Sequence, residues 1–221
     1  MSDDSFFREV DQELRQDQAK ALWDRYGAYI VGAAVLVVLA TSLFVAWEYW
    51  TETRANRSGD AYSQALTLAE EGQTEEAMAA LQQLEADGHG AYPVLARMRA
   101  ATLMEESGDH EAAIAAFDEV ADDGSIPDPL RDMARLRAAL LLVDHGTHQD
   151  VASRVEALTA EANPLRHSAR EALGLAAWKE GQLADAETLF QQIVDDQAAP
   201  QNIRQRAQLM LELIRGSAAQ S

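Results

Sequence analysis

A run of twenty-two residues without a formal charge, Tyr26 to Trp47, lies near the start of the chain. As an α-helix rising about 1.5 Å per residue it would be roughly 33 Å long, enough to cross a hydrocarbon core of about 30 Å. Aromatic residues flank it at both ends, where they would anchor a spanning helix at the two membrane interfaces. These anchors are Trp23, Tyr26, Tyr29, Trp47, Tyr49 and Trp50. We therefore predict one transmembrane helix over residues 26–47.

Two other structures contain apolar segments of this kind: the core helix of a soluble protein and a cleaved signal peptide. A core helix seldom needs more than about 18 consecutive uncharged residues, and a signal peptide has a short basic start and an apolar stretch of about 7 to 15 residues. Here the 25 residues before the segment hold four basic and seven acidic side chains. Bulky residues also surround Ala40 and Ala46, where cleavage would have to occur. The pattern favours an uncleaved anchor.

The orientation follows from the lysines and arginines near the two ends of the segment. Four precede it and two follow it: Arg8, Arg15, Lys20 and Arg25, then Arg54 and Arg57. This bias predicts a cytoplasmic tail over residues 1–25 and an exported domain over residues 48–221. Within the tail, Phe6, Phe7, Val10 and Leu14 recur at helical spacing. This amphipathic stripe either extends the membrane helix or docks on a partner.

The exported part is strongly acidic, with fourteen basic and thirty acidic side chains and hence a net charge of −16. Such a domain is repelled by phosphate backbones, so nucleic-acid binding is disfavoured, whereas peptides and basic protein surfaces remain possible partners. The chain has no cysteine. Disulfides, thiol catalysis and thiolate metal sites are therefore excluded.

Four glycines recur in the exported part at intervals of 36, 38 and 35 residues, a period typical of stacked helical hairpins. They are Gly72, Gly108, Gly146 and Gly181. Five residues after each glycine stands a small side chain, from the set Ala77, Ala113, Val151 and Ala186. Nine residues after it stands a larger one, from the set Leu81, Phe117, Val155 and Phe190. We predict that each glycine ends a helix with a positive φ, that the small residue lets the next helix cross closely, and that the larger one fills the space between the two.

These signals, together with prolines placed before later helices, predict an all-α fold. Helices are expected near residues 56–71, 75–87, 93–107, 110–122, 129–145, 148–161, 164–180, 183–196 and 200–215. The first eight form four hairpins of an α-solenoid, and the last caps the stack.

No catalytic or cofactor motif is recognisable in the sequence. A polar cluster surrounds Gly146 and consists of Asp144, His145, His148 and Asp150. Two histidines on one helical face can bind a metal, but the glycine interrupts that helix, so a polar hairpin tip is favoured over a metal site. The chain lacks a phosphate-cradling glycine loop, a strand-turn-serine elbow and zinc spacing. We expect a protein that is not an enzyme and holds no cofactor.

Two sets of residues are candidates for a partner-binding groove. Arg97, Arg135 and Arg170 each stand eleven residues before a turn glycine. They either form a ladder that binds a peptide carboxylate or pair with acidic residues of neighbouring helices, which so acidic a domain favours. Leu140, Leu175 and Trp178 either line an apolar groove or belong to the core, and their helical spacing favours the core.

The recurring small and aromatic positions resemble tetratricopeptide repeats, and Leu173 with Gly174 reproduces the Leu-Gly pair usual in the first helix of such a repeat. The whole layout is similar to the YfgM-like ancillary subunits of the bacterial Sec (SecYEG) translocon. It consists of an acidic leader ending in LWDRYGAYIVG, one span closing in AWEYW, and four hairpins. The resemblance covers nearly the whole chain.

The resemblance implies a single-pass protein of the bacterial inner membrane with a periplasmic repeat domain. It also implies three kinds of partner: Sec translocon subunits, a periplasmic peptidyl-prolyl-isomerase-like chaperone, and newly exported, unfolded proteins. A different function, a periplasmic scaffold that coordinates cell-wall or division machinery, uses repeats of the same kind and remains open. Fold alone does not decide between the two.

Overall fold

The computed structural model describes residues 3–218, with the side chains of residues 23, 25, 26, 29, 31–33 and 35–216. These residues form nine α-helices and one short 3₁₀ helix, without a β-strand, so the predicted all-α fold is confirmed. The helices are α1 Asp3–Glu70, α2 Thr74–Asp87, α3 Tyr92–Glu106, α4 His110–Asp122, α5 Asp128–His145, α6 His148–Val155, the 3₁₀ helix Glu156–Thr159, α7 Arg166–Lys179, α8 Leu183–Asp195 and α9 Gln201–Ala218.

The chain divides into two compact units, Met1–Asn56 and Arg57–Ser221. The segment Val31–Glu70 of α1 contains an 18-residue window with a mean hydropathy of 2.0, no part of which is buried. By length and composition, α1 is the one helix among the described residues that is apolar enough to cross a membrane. The apolar stripe predicted for the tail lies outside the described side chains.

Two predicted helix boundaries are wrong. The separate helices expected at 26–47 and 56–71 both belong to α1, because residues 48–56 contain neither glycine nor proline to end a helix. The helix expected at 148–161 stops at Val155, and a 3₁₀ turn follows over Glu156–Thr159. This turn buries Leu158 in the core, where it packs with α5, α6 and α7.

The second unit is a stack of hairpins with a periodic core. We call α3, α5, α7 and α9 the A helices, and α2, α4, α6 and α8 the B helices. Each B helix packs between the helix before it and the A helix after it, and each such layer has its own hydrophobic cluster. The eight residues placed five and nine positions after the turn glycines all lie in these clusters and are at most 1% exposed.

The turn glycines do not all have the predicted backbone. Gly72, Gly108 and Gly181 have φ of 78°, 86° and 78°, the left-handed conformation that glycine adopts without strain. Gly146 has φ −134°, so the predicted positive φ is wrong there. A Cβ at Gly146 would lie 2.6 Å from Cδ2 of Leu142. Any larger residue at this turn would therefore force the Leu142 side chain to move.

Candidate protein-binding face on the A helices

Each A helix carries an arginine at the same position of the repeat: Arg97, Arg135, Arg170 and Arg204. Nη2 of Arg135 donates to the carbonyl oxygen of Ala121 in α4 at 3.1 Å. Nη2 of Arg170 donates to the carbonyl oxygen of Thr159 at 3.0 Å. The first cation lies at the C-terminal end of α4 and the second at the end of the 3₁₀ turn that follows α6, where unpaired carbonyl groups concentrate partial negative charge.

The ends of this arginine series differ in detail. Nη2 of Arg204 donates to three carbonyl oxygens at and just after the end of α8, at 3.0 to 3.1 Å. Arg97 instead pairs with Asp123 at 3.0 Å and with Glu85 at 3.6 Å. Pairing with acidic residues outside its own helix therefore describes Arg97, whereas carbonyl groups hold the other three arginines, and Arg135 also pairs with Asp132 of its own helix at 2.8 Å. All four cations are engaged within the fold, which favours a structural brace over a peptide-binding ladder.

The same register places one leucine on each of three successive A helices. Leu140, Leu175 and Leu209 each follow their arginine by five residues, and α7 contacts both α5 and α9. Leu140 is 43% exposed and Leu209 is 60% exposed, while Leu175 is partly buried. One turn further along, Trp178 is 42% exposed and Leu213 is 58% exposed. We call the surface formed by Leu140, Leu175, Trp178, Leu209 and Leu213 the A face.

Exposed apolar side chains of the repeat domain are concentrated on the A helices. Within residues 57–216, the large apolar residues that the structure shows exposed are Met133, Leu140, Trp178, Leu209 and Leu213. All five belong to α5, α7 or α9, and Met133 lies seven residues before Leu140, on the same side of α5. Leu140 and Trp178 are thus outside the core, contrary to the interpretation that the sequence favoured, whereas Leu175 packs against the core of α7, α8 and α9. Large apolar side chains that are exposed on successive helices of one stack are typical of an interaction site.

An ion pair joins α7 to α9 next to this face. Glu171 is buried and lies four residues before Leu175, and Arg206 lies three residues before Leu209. Nε and Nη2 of Arg206 donate to the two carboxylate oxygens of Glu171 at 2.6 and 2.7 Å. The hydrogen bonds from Arg206 to Glu171 raise the pKa of Arg206, and the pair adds no net charge to the face.

The polar cluster around Gly146 does not converge on a common point. The ring of His145 stacks on that of His110, with centroids 3.9 Å apart. The main-chain N–H of His148 donates to Glu180 at 2.7 Å, and Asp150 forms a capping box with Thr147 at the start of α6. Among the side chains that the structure describes, no group of three or more potential ligands is arranged to hold a metal ion.

A polar cleft of about 710 Å³ lies at the junction of α7 and α8, and Asp196 is its most strongly bonded residue. Asp196 accepts hydrogen bonds from Nε2 of the buried His167 at 2.7 Å, from Nη2 of Arg166 at 3.0 Å and from the main-chain N–H of Ala198 at 2.8 Å. These donors, His167 first, hold the pKa of Asp196 well below its usual range. Arg166 pairs with Asp196, and Arg170 donates to the carbonyl oxygen of Thr159. These charged groups of the cleft therefore already have partners within the fold.

All six predicted interface anchors of the first unit are exposed. The guanidinium of Arg54 stacks over the ring of Trp50, 3.7 Å from its centroid, and Arg25 lies 5.7 Å from the ring centroid of Tyr26. Aromatic rings paired with cations in this way suit the region between lipid headgroups and acyl chains.

The family model of the tetratricopeptide repeat-like domain matches residues 20–215 of this chain. The chain belongs to this family. Its fold is similar to a crystal structure of nearly identical TPR-like repeats of a putative kinesin light chain from Podosopora anserina, with a TM-score of 0.54 and 20% identity over 76% of this chain and 99% of the other. A second crystal structure of the same repeats gives a TM-score of 0.52 and 19% identity, over 75% and 97% of the two chains. No curated protein sequence matches this chain significantly.

The comparisons establish a tetratricopeptide-repeat-like solenoid, a fold that generally mediates protein–protein interactions. Sequence reasoning found Leu140, Leu175 and Trp178 of its A face but missed Leu209, Leu213 and Arg204. The signal was present, because Arg204 and Leu209 follow Arg170 and Leu175 by 34 residues each. It was overlooked because Arg215, rather than a turn glycine, stands eleven residues after Arg204.

Proposed function

We propose that this chain is a membrane-anchored, non-catalytic protein whose repeat-like domain binds polypeptides through its A face. The observation that carries the proposal is the set of exposed apolar side chains on three successive A helices. Burying such side chains against a partner contributes about 25 cal/mol per Å² of apolar area. The polar side chains of Gln205, Gln208 and Glu212 are also exposed on α9, beside Leu209 and Leu213.

The proposed location is the bacterial inner membrane, with α1 crossing once, residues 1–25 in the cytoplasm and the repeat-like domain in the periplasm. The apolar segment with its aromatic flanks and the excess of lysine and arginine before it support this topology. The likeness of the layout to YfgM-like subunits supports a place beside the Sec translocon, with handover of unfolded exported proteins to a periplasmic peptidyl-prolyl-isomerase-like chaperone. A tether at the channel exit would raise the effective concentration of weak contacts.

The test is site-specific photocrosslinking in native bacterial membranes. A photoreactive amino acid replaces Leu140, Leu175 or Leu209 on the A face, or the exposed Gln83 or Ala115 on B helices as matched controls. Capture of channel subunits, the chaperone and exported chains from the A-face positions, but not from the controls, is the expected result. Capture of division or cell-wall proteins would favour the scaffold function, and equal capture at all positions would contradict binding through the A face.

A further inference from the structure

The A face is chemically different at its two ends. Toward α7 and α9 it presents Leu175, Trp178, Leu209 and Leu213. Toward α3 the leucine register is occupied by Thr102, and a cleft of about 270 Å³ opens beside Leu140. The cleft is lined by Glu105, His110, Arg137, Leu140, Leu141, Asp144 and His145. Polar and apolar contacts are thus available side by side along one surface.

The carboxylates of this cleft form no ion pair in the described part of the fold. Neither Glu105 nor Asp144 has an ion-pair partner among the described side chains, whereas the neighbouring Glu106 is paired with Arg99 at 3.0 Å. Lys179 approaches Asp144 but donates to main-chain oxygens, at 2.9 Å to Val143 and at 2.6 Å to Asp144 itself. Its cation therefore caps the end of α5 and leaves the Asp144 carboxylate to the cleft.

Two further groups line the cleft. Arg137 also lines the cleft without an ion-pair partner among the described residues, so the formal charges of the lining residues Glu105, Asp144 and Arg137 sum to −1, with Lys179 bound to the nearby end of α5. Nδ1 of His110 is buried without a hydrogen-bond partner in the described structure. A positively charged partner group with hydrogen-bond donors could donate to the carboxylates of the cleft. It would also be attracted by the net charge of −16 that the domain carries.

We infer that the A face recognises a segment in which a basic residue is followed or preceded by apolar residues, with the basic side chain in the cleft beside Leu140 and the apolar ones on α7 and α9. This inference rests on the proposed binding function and names its ligand class. Neighbouring helices lie about 8 to 10 Å apart, and an extended chain advances about 3.3 Å per residue. The expected spacing is therefore a lysine or arginine, then apolar side chains about three and six residues away.

The experiment measures peptide binding to the full-length chain in phosphatidylcholine nanodiscs, whose zwitterionic lipid does not attract basic peptides. Three fluorescent peptides share the frame Lys-x-x-Leu-x-x-Leu; the second has Glu in place of Lys, and the third has Ser in place of both Leu. Empty nanodiscs report binding to lipid. We expect the lysine peptide to bind about tenfold more tightly than the glutamate peptide at low salt, with the difference shrinking as salt screens it.

Variants of the protein locate the contacts. Glu105→Gln combined with Asp144→Asn is expected to bring the two leucine peptides to within about twofold of each other, whereas Glu75→Gln with Glu76→Gln on α2, the same change of charge outside the cleft lining, leaves the preference intact. Leu209→Ala with Leu213→Ala is expected to weaken both leucine peptides. Equal or tighter binding of the glutamate peptide would overturn this inference alone. Failure of both leucine peptides to bind better than the serine peptide would count against the proposed A-face binding itself.

Discussion

Arg206 of α9 and Glu171 of α7 form a bidentate pair, with N–O distances of 2.6 and 2.7 Å, although 35 residues separate them in the chain. The Glu171 side chain is 11% exposed and that of Arg206 is 53% exposed. The pair therefore fastens the last helix of the stack to the preceding A helix beside the A face. Without the guanidinium, a buried carboxylate would lose both donors.

The first prediction is that Arg206→Ala lowers the free energy of unfolding by about 1 kcal/mol, because the exposure of the guanidinium limits the strength of the pair. Denaturant unfolding of the full-length chain in nanodiscs, followed by circular dichroism, gives the value. The matched control is Arg215→Ala, which removes an exposed pair with Glu187 at 3.2 Å and should change stability by less than about 0.5 kcal/mol. Equal losses for the two variants would show that the bidentate geometry contributes nothing.

The second prediction concerns Gly174, which faces the ring of Phe190 across the α7–α8 hairpin. A Cβ at Gly174 would lie 2.9 to 3.1 Å from three ring carbons, and Phe190 is fully buried. Gly174→Ala should therefore destabilise the domain by about 1 to 3 kcal/mol, although alanine is the better helix former. Thermal unfolding measures the change.

A control and a rescue separate packing from helix propensity. Gly216→Ala in α9 meets no atom within 4 Å and should leave stability unchanged or slightly raised. Phe190→Leu should reduce the penalty of Gly174→Ala in the double variant. If Gly174→Ala were as stable as the natural chain, the close approach of α7 and α8 would be wrong.

The third prediction is a loss of stability in acid that depends on Asp196. Hydrogen bonds from His167, Ala198 and Arg166 hold its pKa below the usual value, which is about 3.9 in an unfolded chain. A depressed pKa contributes stability above the unfolded value, and this contribution is lost as the pH falls below about 4 toward the folded pKa. Unfolding free energies measured from pH 7 to pH 3 should therefore fall less steeply for Asp196→Asn.

The neighbouring Asp195→Asn provides the comparison, since Asp195 is exposed and bonded to Gln191 in its own helix. Its pH profile should keep the slope of the natural chain. A slope that stays the same in Asp196→Asn would mean that other carboxylates cause the acid sensitivity.

The fourth prediction separates a structural role of the arginine series from a role in peptide binding. Arg170→Ala removes the hydrogen bond to Thr159 and should cost about 1 to 2 kcal/mol of stability. Peptide affinity at the A face should stay unchanged when measured well below the unfolding temperature. Arg137→Ala, at an exposed position without an ion-pair partner in the described structure, should cost less than about 0.5 kcal/mol of stability. If Arg170→Ala lowered peptide affinity without lowering stability, the result would support the alternative hypothesis that the arginines form a peptide-binding ladder.

The turn glycines show how far sequence reasoning reaches. The positive φ of Gly72, Gly108 and Gly181 follows from a period and a residue type. Gly146 occupies the same position of the repeat but is extended, because Thr147 and Asp150 build a capping box directly after it. A turn glycine can supply a positive φ or allow a close approach to the preceding helix. Which of these it does depends on the three residues after it and on a residue of the preceding turn, here Leu142, and the repeat period does not specify those residues.

The A face shows the same division. The sequence identified Leu140, Leu175 and Trp178 as residues of either a groove or the core, and helical spacing favoured the core. Whether each is exposed is decided by the neighbouring helices, since α4 and α6 cover one side of α5 and leave Leu140 open, while Leu175 packs against the core of α7, α8 and α9. Periodicity within a helix identifies its apolar positions, but not which of them another helix will cover.

By itself, the sequence determined the apolar segment, the all-helical class and the repeat period, because each is encoded by residues within one helix or by the recurrence of similar residues. The tertiary structure alone decided the partners of Arg170 and Arg206, the exposure of the A face and the cleft between Glu105 and Asp144. Each of these joins residues from different helices. Such contacts depend on the distances and angles at which helices pack, and these are fixed by all the side chains of the interface together.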